Sequence, residues 1–313
     1  MTIENNDAAF TEDIQTVPVR FDSDGIELVG EIYLPEDHET GASPLPGVVV
    51  TGTWTSVRQQ MTQRYAKKLA AEGLAALSFD YRTYGESGGE PRQIESPEWK
   101  VRDIANATDF LASRDEVDGD RVGGMAICAS VMYMAQAIAQ GAPLKAFATS
   151  AAWIHDPDTV GMMYGGCEGL QQRIDAGRAA GEKFEETGEV EYVPAESPDD
   201  ENAAMVGVEF YEREDRGNIP EWTNRFATMQ WSDWLTLDGV APASSIGVPT
   251  IMIHSDGAAF PDNVRRFHDG LSGPKSLCWM EGEHTQFYDY EPLVSYAARA
   301  AAGHLKTALE NAS

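Results

Sequence analysis

The sequence has little positive charge. Its 313 residues include 51 acidic but only 23 basic side chains, which gives a formal net charge of -28. Such a surface repels the phosphates of nucleic acids and of anionic membranes, so neither is expected as a partner. Two explanations of the acidity stay open: adaptation to high salt, and an ordinary solvated surface that resists association.

Cysteines are also few, and those present are Cys128, Cys167 and Cys278. An odd number in a chain without an export signal argues against a disulfide framework. No two of them have the C-x-x-C spacing of a metal site, and no H-E-x-x-H motif occurs. The sequence therefore indicates no metal site.

Long apolar runs are missing as well. No uninterrupted apolar stretch approaches the roughly 20 residues that a membrane helix needs. Residues 1–12 are polar and acidic, and they lack the basic and apolar parts of a signal peptide. We therefore expect a soluble, cytoplasmic protein. Because 42% of its residues are hydrophobic, the chain can form one large domain, with or without an insertion.

The pattern that is present begins with a β-hairpin. Apolar residues recur at every second position from Val17 to Phe21 and again from Ile26, with the turn signal Ser23-Asp24-Gly25 between them. Short apolar runs then alternate with amphipathic segments, as expected for strands buried on both faces between helices. These runs are 47–51, 74–79, 122–127, 146–149, 250–254 and 276–279. The pattern predicts an α/β fold, with a mostly parallel sheet of about eight strands flanked by helices.

One long interval breaks this alternation. A loop of that length without structure is improbable, so residues 155–246 are predicted to form an inserted helical cap. The cap separates two parts of the core, 1–154 and 247–313. Its acidic stretch, 182–201, is expected to be mobile and solvated.

The candidates for substrate contact lie in or near this cap. Trp153 and His155 stand at its entrance, and Trp222 belongs to a group of cap tryptophans with Trp231 and Trp234. Tryptophans more often pack than bind ligands, but a cap over an active site could use them for both.

The segment around Cys128 has the features of a nucleophile elbow. A buried strand runs into Ala126-Ile127-Cys128-Ala129-Ser130, and a helical stretch follows. This sharp turn needs small residues two before and two after the nucleophile, and here alanine and serine replace the usual glycines. The helix N-terminus is expected to lower the thiol pKa from its usual value of about 8.5. The alternative interpretation is a buried structural cysteine.

A second segment fits a nucleophile motif only literally. Residues 85–89 match G-x-S-x-G around Ser87, but they follow their strand by several residues and continue into a loop. Without the strand–turn–helix context, Ser87 is not expected to be the nucleophile.

A base and an acid are expected on later loops. His284 follows the last predicted strand and is the candidate base. Asp256 is the first carboxylate beyond the preceding strand, and it could hold the imidazole in its working tautomer. It could also simply form a turn before Gly257, and Asp262 is a weaker candidate.

An oxyanion hole requires backbone N–H donors near the nucleophile. One donor is expected from Ala129, the residue after Cys128. The other is expected from Thr53 or Trp54, since the adjacent Gly52 lets the backbone approach a ligand.

Nucleophile, acid and histidine in this chain order on a parallel sheet resemble the α/β-hydrolase superfamily over nearly the whole chain. The cysteine elbow looks like that of dienelactone hydrolases. Segments 51–57, 79–90 and 287–289 are similar to poorly characterised bacterial hydrolases related to them. The resemblance implies a small-molecule acyl substrate and neither metal nor organic cofactor.

This chain departs from the superfamily at the acid. In many members the acid lies four residues after the position held here by His254, and that place is Ala258. Either Asp256 has taken the role or the site works as a dyad.

The reaction implied is hydrolysis of an ester, lactone or thioester through an acyl group on Cys128. Acyl transfer and carbon–carbon bond hydrolysis at the same site are alternatives, as is a catalytically silent ligand-binding homologue. A homodimer is compatible with the sequence, which does not fix the oligomeric state.

Overall fold

An eight-stranded sheet forms the centre of the protein, in a computed structural model that describes residues 14–39 and 41–311. Its strands are β1 (Ile14–Ser23), β2 (Ile26–Pro35), β3 (Leu45–Thr51), β4 (Ala75–Phe79), β5 (Val117–Ile127), β6 (Phe147–Ser150), β11 (Thr250–Gly257) and β12 (Lys275–Glu283). They lie in the order β1-β2-β4-β3-β5-β6-β11-β12. Only the pairs β1–β2 and β2–β4 are antiparallel. The predicted mostly parallel sheet is therefore confirmed.

The hairpin at the N-terminal edge closes through Asp24 and Gly25. Their φ angles are 54° and 84°, the left-handed values that two-residue hairpin turns require. The predicted turn signal thus lies where the structure turns, and β1 pairs with β2 along its whole length.

Helices cover both faces of the sheet. They are α1 (Met61–Ala71), α2 (Pro97–Ala112), α3 (Ser130–Ala139), α7 (Pro261–Gly270), α8 (Gln286–Asp289) and α9 (Leu293–Glu310). Successive residues of a strand point to opposite faces, and two glycines of β5 show the result. A Cβ at Gly123 would lie 3.0 Å from Leu305 of α9, whereas one at Gly124 would collide with Met134 of α3. The helices approach closely because β5 carries no side chain at these two positions.

The chain between β6 and β11 adds no strand to the central sheet. It contains α4 (Gly166–Thr187), β7 (Tyr192–Val193), β8 (Glu196–Ser197), β9 (Met205–Val206), α5 (Glu209–Glu212), β10 (Phe226–Ala227) and α6 (Trp231–Leu235). The short strands form two further sheets, β7 with β10 and β8 with β9. Within residues 14–39 and 41–311, no helix is long and apolar enough to span a bilayer.

The acidic stretch 182–201 is more ordered than its composition predicts. Helix α4 continues through it to Thr187, and β7 and β8 follow. Lys183 offsets part of the charge, since its Nζ lies 2.8 Å from Glu191 and 3.3 Å from Glu189. Glu196 is buried at 3% exposure and accepts a hydrogen bond from the Val208 N–H. The segment thus has regular secondary structure, while most of its acidic side chains are exposed as the prediction of a solvated stretch requires, with Glu196 the buried exception.

A buried ion pair connects helices α2 and α3 with the loops after β3 and β4. Glu95 and Lys100 are 0% and 1% exposed, and Lys100 Nζ lies 2.5 Å from a Glu95 carboxylate oxygen. Tyr84 and Tyr133 each donate a hydroxyl hydrogen bond of 2.8 Å to Glu95. The Thr55 N–H donates another, of 3.0 Å. The buried charge is tolerated because both oxygens of the Glu95 carboxylate accept hydrogen bonds.

Removing only one member of this pair should destabilise the fold. Lys100→Met leaves the Glu95 charge buried and unpaired, so the free energy of unfolding should fall by about 3–5 kcal/mol. Combining Lys100→Met with Glu95→Gln should recover much of that loss, because no unpaired charge remains. Urea denaturation of the two variants measures the difference. A single variant as stable as the wild type, or a double variant no better than the single, would contradict this role.

Candidate active site

Cys128 occupies a strained turn between β5 and α3. Its φ is +57°, a left-handed value that a non-glycine residue adopts only at a cost of about 1–3 kcal/mol. The neighbouring strand β6 and the loop after it hold this conformation. The Cys128 N–H donates to the Ser150 carbonyl at 3.1 Å, and the Cys128 carbonyl accepts from the Trp153 N–H at 3.0 Å. The result is the sharp strand–turn–helix geometry of a nucleophile elbow.

Small neighbours make this turn possible. Ala126 and Ser130 are both 0% exposed, so larger side chains at these positions would have no space. The alanine and serine of the predicted elbow therefore meet the same steric requirement as the usual glycines.

His284 lies next to the sulfur. It follows β12, and its Nε2 is 3.3 Å from Cys128 Sγ. Its other nitrogen, Nδ1, accepts a hydrogen bond of 3.2 Å from the Ala259 N–H. Because Nδ1 is engaged as an acceptor, the ring proton belongs on Nε2, where it points to the sulfur.

The structure does not bring Asp256 to His284. Strand β11 continues past the predicted end at His254 as far as Gly257, which pairs with Glu283, and this extension carries Asp256 to the surface. The Asp256 side chain is 73% exposed and forms a 2.6 Å ion pair with Arg265. Among the described residues no hydrogen bond joins it to His284. The assignment of Asp256 as the triad acid is thus corrected.

Within residues 14–39 and 41–311, no other carboxylate is hydrogen-bonded to His284. Asp262, the weaker candidate, is 94% exposed and also pairs with Arg265. Ala258 is buried at the position of the missing acid, and the next residue supplies the backbone N–H that meets His284. The arrangement of described residues is a Cys–His dyad.

Two backbone N–H groups lie on the Cys128 side of the site. They belong to Ala129 and Trp54, and both lower the pKa of the Cys128 thiol. An oxyanion hole needs donors beside the nucleophile, directed to the place of the substrate oxygen, and these two N–H groups are the candidates. Thr53 contributes a side chain to the same loop, and its hydroxyl is hydrogen-bonded to that of Tyr211.

The sequence analysis missed Tyr288. Its hydroxyl lines the cavity beside Cys128 and lowers the thiol pKa, although burial raises the pKa of Tyr288 itself well above its usual value. Tyr288 lies in α8, four residues after His284 in the sequence, and the two rings pack with their centres 5.5 Å apart. This i, i+4 relation is the signal that could have identified it.

Burial dominates the electrostatics of the dyad. Cys128 is 5% exposed, and desolvation raises its pKa to about 11 despite the donors around the sulfur. Desolvation, together with a smaller effect of the neighbouring His254, lowers the pKa of His284, which lines a cavity, to about 3. Both groups are therefore uncharged at neutral pH. The Ala129 N–H at the start of α3 lowers the thiol pKa, as a helix N-terminus predicts, but desolvation raises it by more, so the predicted net lowering is not found.

A cavity of about 210 Å³ opens above the sulfur. Core and cap residues line it, and most are apolar or aromatic: Thr53, Trp54, Cys128, Trp153, Met163, Tyr164, Arg173, Ala203, Ala204, Met205, Val206, Val208, Tyr211, His284, Thr285 and Tyr288. Trp153 is thus placed where a substrate could contact it.

The other two predicted contact residues lie behind the cavity wall. His155 is fully buried, accepts a 2.9 Å hydrogen bond from the Trp153 indole and meets the Trp234 carbonyl at 2.9 Å. Trp222 donates its indole N–H to the Thr55 carbonyl at 2.9 Å and packs on Tyr211. His155 supports Trp153, and Trp222 supports the oxyanion loop, the segment after β3 that contains Trp54. The assignment of His155 and Trp222 as substrate contacts is corrected.

Ser87 has a structural position. It is 2% exposed, donates its hydroxyl to the Asp80 carbonyl at 2.6 Å and accepts from the Val29 N–H at 2.9 Å.

No group of three or more histidine, cysteine or acidic side chains is arranged to hold a metal ion in the described part of the chain.

Comparisons with known proteins place the chain in a wider group. A model of the family described as X-Pro dipeptidyl-peptidase (S15 family) matches residues 24–286. The uncharacterized protein PA2218 of Pseudomonas aeruginosa is 28% identical over 278 residues, 85% of this chain and 73% of that protein. The thiohydrolase aneE of Aspergillus aculeatus is 30% identical over 123 residues, 39% of this chain and 35% of that protein. The solved structure of the α/β hydrolase GrgF from Penicillium sp. sh18 is similar with a TM-score of 0.79 at 17% identity, covering 95% of this chain and 99% of that chain. The predicted α/β-hydrolase fold is confirmed.

The two pKa shifts predict how Cys128 reacts with iodoacetamide. Because the thiol ionises only near pH 11, its alkylation rate should rise about tenfold per pH unit through and beyond neutral pH. A variant with Cys167→Ser and Cys278→Ser isolates Cys128, and the same variant with Cys128→Ala gives the background. A rate that levels off below about pH 8 would instead indicate a thiolate–imidazolium pair.

Proposed function

The chain belongs to the X-Pro dipeptidyl-peptidase (S15) family, and from this premise we propose that it is a hydrolase that cleaves esters or thioesters through an acyl group on Cys128. The observation that carries the proposal is the elbow with its partners. At φ +57° Cys128 presents its sulfur 3.3 Å from His284 Nε2 and within reach of the Ala129 and Trp54 N–H groups.

In the first step the Cys128 sulfur adds to the substrate carbonyl carbon, and the C=O π electrons move to the oxygen. The N–H groups of Ala129 and Trp54 then stabilise the oxyanion. The thiol proton passes to His284 Nε2 and from there to the leaving alcohol or thiol as its bond to carbon breaks. Water adds to the acyl-cysteine in the second half-reaction, the S–C bond breaks, and Cys128 recovers its proton.

His284 can accept the thiol proton only when Nε2 carries the lone pair. The ring proton must then be on Nδ1, where it would face the Ala259 N–H. Proton transfer therefore requires that the imidazole loosens its contact with Ala259. Without a carboxylate to favour this tautomer, we expect a slower base than in a complete triad.

The cysteine also bears on the class of substrate. The family's peptidases use a serine, whereas position 128 of this chain is a cysteine. A thiolate is a better leaving group than an amine, so a tetrahedral intermediate formed from an amide would expel Cys128 and return to substrate. Thioesters and activated esters are less subject to this return, because a thiolate or a phenolate can leave in competition with Cys128, and the similarity to a thiohydrolase supports the same class.

Acyl transfer to an organic acceptor is the second candidate. The cavity is lined mainly by apolar and aromatic side chains, which limits the access of water to an acyl-cysteine. Product analysis with added alcohols, thiols and amines distinguishes the two, since transfer would give an acylated acceptor in place of the free acid.

Replacing Cys128 tests the proposal directly. On a panel of aryl esters, lactones and acyl thioesters, Cys128→Ala should lower kcat/KM at least about a thousand-fold, because no nucleophile remains. Cys167→Ser, which changes an exposed cysteine of the cap helix, should leave kcat/KM unchanged. Unchanged turnover in the alanine variant would eliminate the mechanism.

A further inference from the structure

Arg173 is the one cavity-lining side chain with a permanent charge among the described residues. It projects from helix α4 of the cap. The remaining lining is apolar, aromatic or uncharged, and the dyad itself carries no charge at neutral pH. The half-buried guanidinium is the group in this lining that can attract an anionic part of a ligand.

No carboxylate of the described chain pairs with Arg173. One of its NH₂ groups donates to the Glu201 carbonyl at 2.9 Å, and the other reaches the Tyr164 and Gly169 carbonyls only at 3.5 Å. All three acceptors are backbone oxygens, although acidic residues outnumber basic ones by 51 to 23. Nearby Arg213 and Arg216, in contrast, form close ion pairs with Asp215 and Asp289.

Aromatic rings fix the guanidinium in place. Its carbon lies 5.4 Å from the Tyr164 ring centre and 5.6 Å from that of Trp231. Trp231 in turn contacts Trp54, the oxyanion-loop residue, at 5.7 Å. Tyr164 and Cys128 line the same cavity as Arg173, so the cation and the sulfur face one space. A stacked guanidinium keeps its planar edge for an incoming oxyanion.

We propose that Arg173 binds a carboxylate at the far end of the acyl group, so that the preferred substrates are esters or thioesters of short dicarboxylic acids. This specificity rests on the proposed function, because it names the acyl group that Cys128 would accept. Arginine suits the role because its fork of N–H donors matches a carboxylate.

The size of the cavity favours a carboxylate on the acyl group over a phosphate on the leaving group. Its volume of about 210 Å³ corresponds to roughly seven water molecules at about 30 Å³ each. That space holds a short acyl chain with a terminal carboxylate. A long carrier thiol with its phosphate would have to extend outside it.

Matched thioesters test the proposal. Succinyl, glutaryl and adipyl thioesters of N-acetylcysteamine are compared with their terminal methyl esters, which have nearly the same shape but no charge. The wild type should prefer at least one free acid by about 10- to 100-fold in kcat/KM, as expected for a charge-assisted hydrogen bond. Arg173→Met should abolish that preference, and Arg173→Lys should retain part of it. Arg178→Met, on an exposed part of the same helix, should leave it unchanged.

Several results would overturn the assignment. One is equal kcat/KM for acids and methyl esters in the wild type, and another is a preference that survives in Arg173→Met. A preference for coenzyme A thioesters over those of N-acetylcysteamine that Arg173→Met removes, without discrimination between acid and methyl ester, would place a phosphate at Arg173 and also overturn it.

A binding measurement separates this inference from the proposed reaction. Tryptophan fluorescence of the wild type and of Arg173→Met is titrated with glutarate and with uncharged glutaramide, since Trp54 and Trp153 line the cavity. Glutarate binding that depends on Arg173 supports the carboxylate site even if no thioester is turned over. Active turnover that depends on Cys128, with no difference between the two ligands, rejects the carboxylate site and leaves the hydrolase proposal intact.

Discussion

The left-handed backbone of Cys128 is the constraint on which the rest of the site depends. A cysteine at φ +57° is unfavourable by itself, and it persists because β6 and the following loop bind both its N–H and its carbonyl. That conformation lifts the sulfur off the sheet edge, toward the first turn of α3 and the loop after β3. The Ala129 and Trp54 N–H groups and the His284 ring can therefore all meet at one atom.

Desolvation then determines the protonation state of Cys128 and His284 before a substrate binds. The surroundings that direct donors to the sulfur also remove water from it, so the thiol stays protonated and the imidazole neutral at physiological pH. The hydrogen bond from Ala259 to Nδ1 reinforces this state, because it occupies the nitrogen that a triad acid would hold. Charge at this site is therefore expected to develop only when a substrate carbonyl accepts the sulfur and the oxyanion hole becomes occupied.

Local patterns in the sequence predicted the sheet, the hairpin turn, the elbow and the position of His284, because periodicity, turn chemistry and steric limits act over a few residues. They failed for Asp256, since the length of β11 depends on its pairing with β12 and not on its own apolar run. The predicted net lowering of the thiol pKa failed for a related reason, because the desolvation of Cys128 comes from the packing of the cap and of distant loops. His155 and Trp222 were correctly placed near the site, but which ring faces a cavity is a tertiary property. Tyr288 had a readable spacing from His284, whereas nothing around Arg173 indicates its environment.

The acyl-cysteine itself gives the most direct test of the central claim. The protein is mixed briefly with an activated aryl ester, quenched in acid and digested, and the adduct is located by mass spectrometry. The account predicts one acyl group, on the peptide that contains Cys128, and its absence in Cys128→Ala. An adduct on Ser87, on Cys278 or on Cys167 that survives in that variant, or turnover without any acyl-protein, would contradict it.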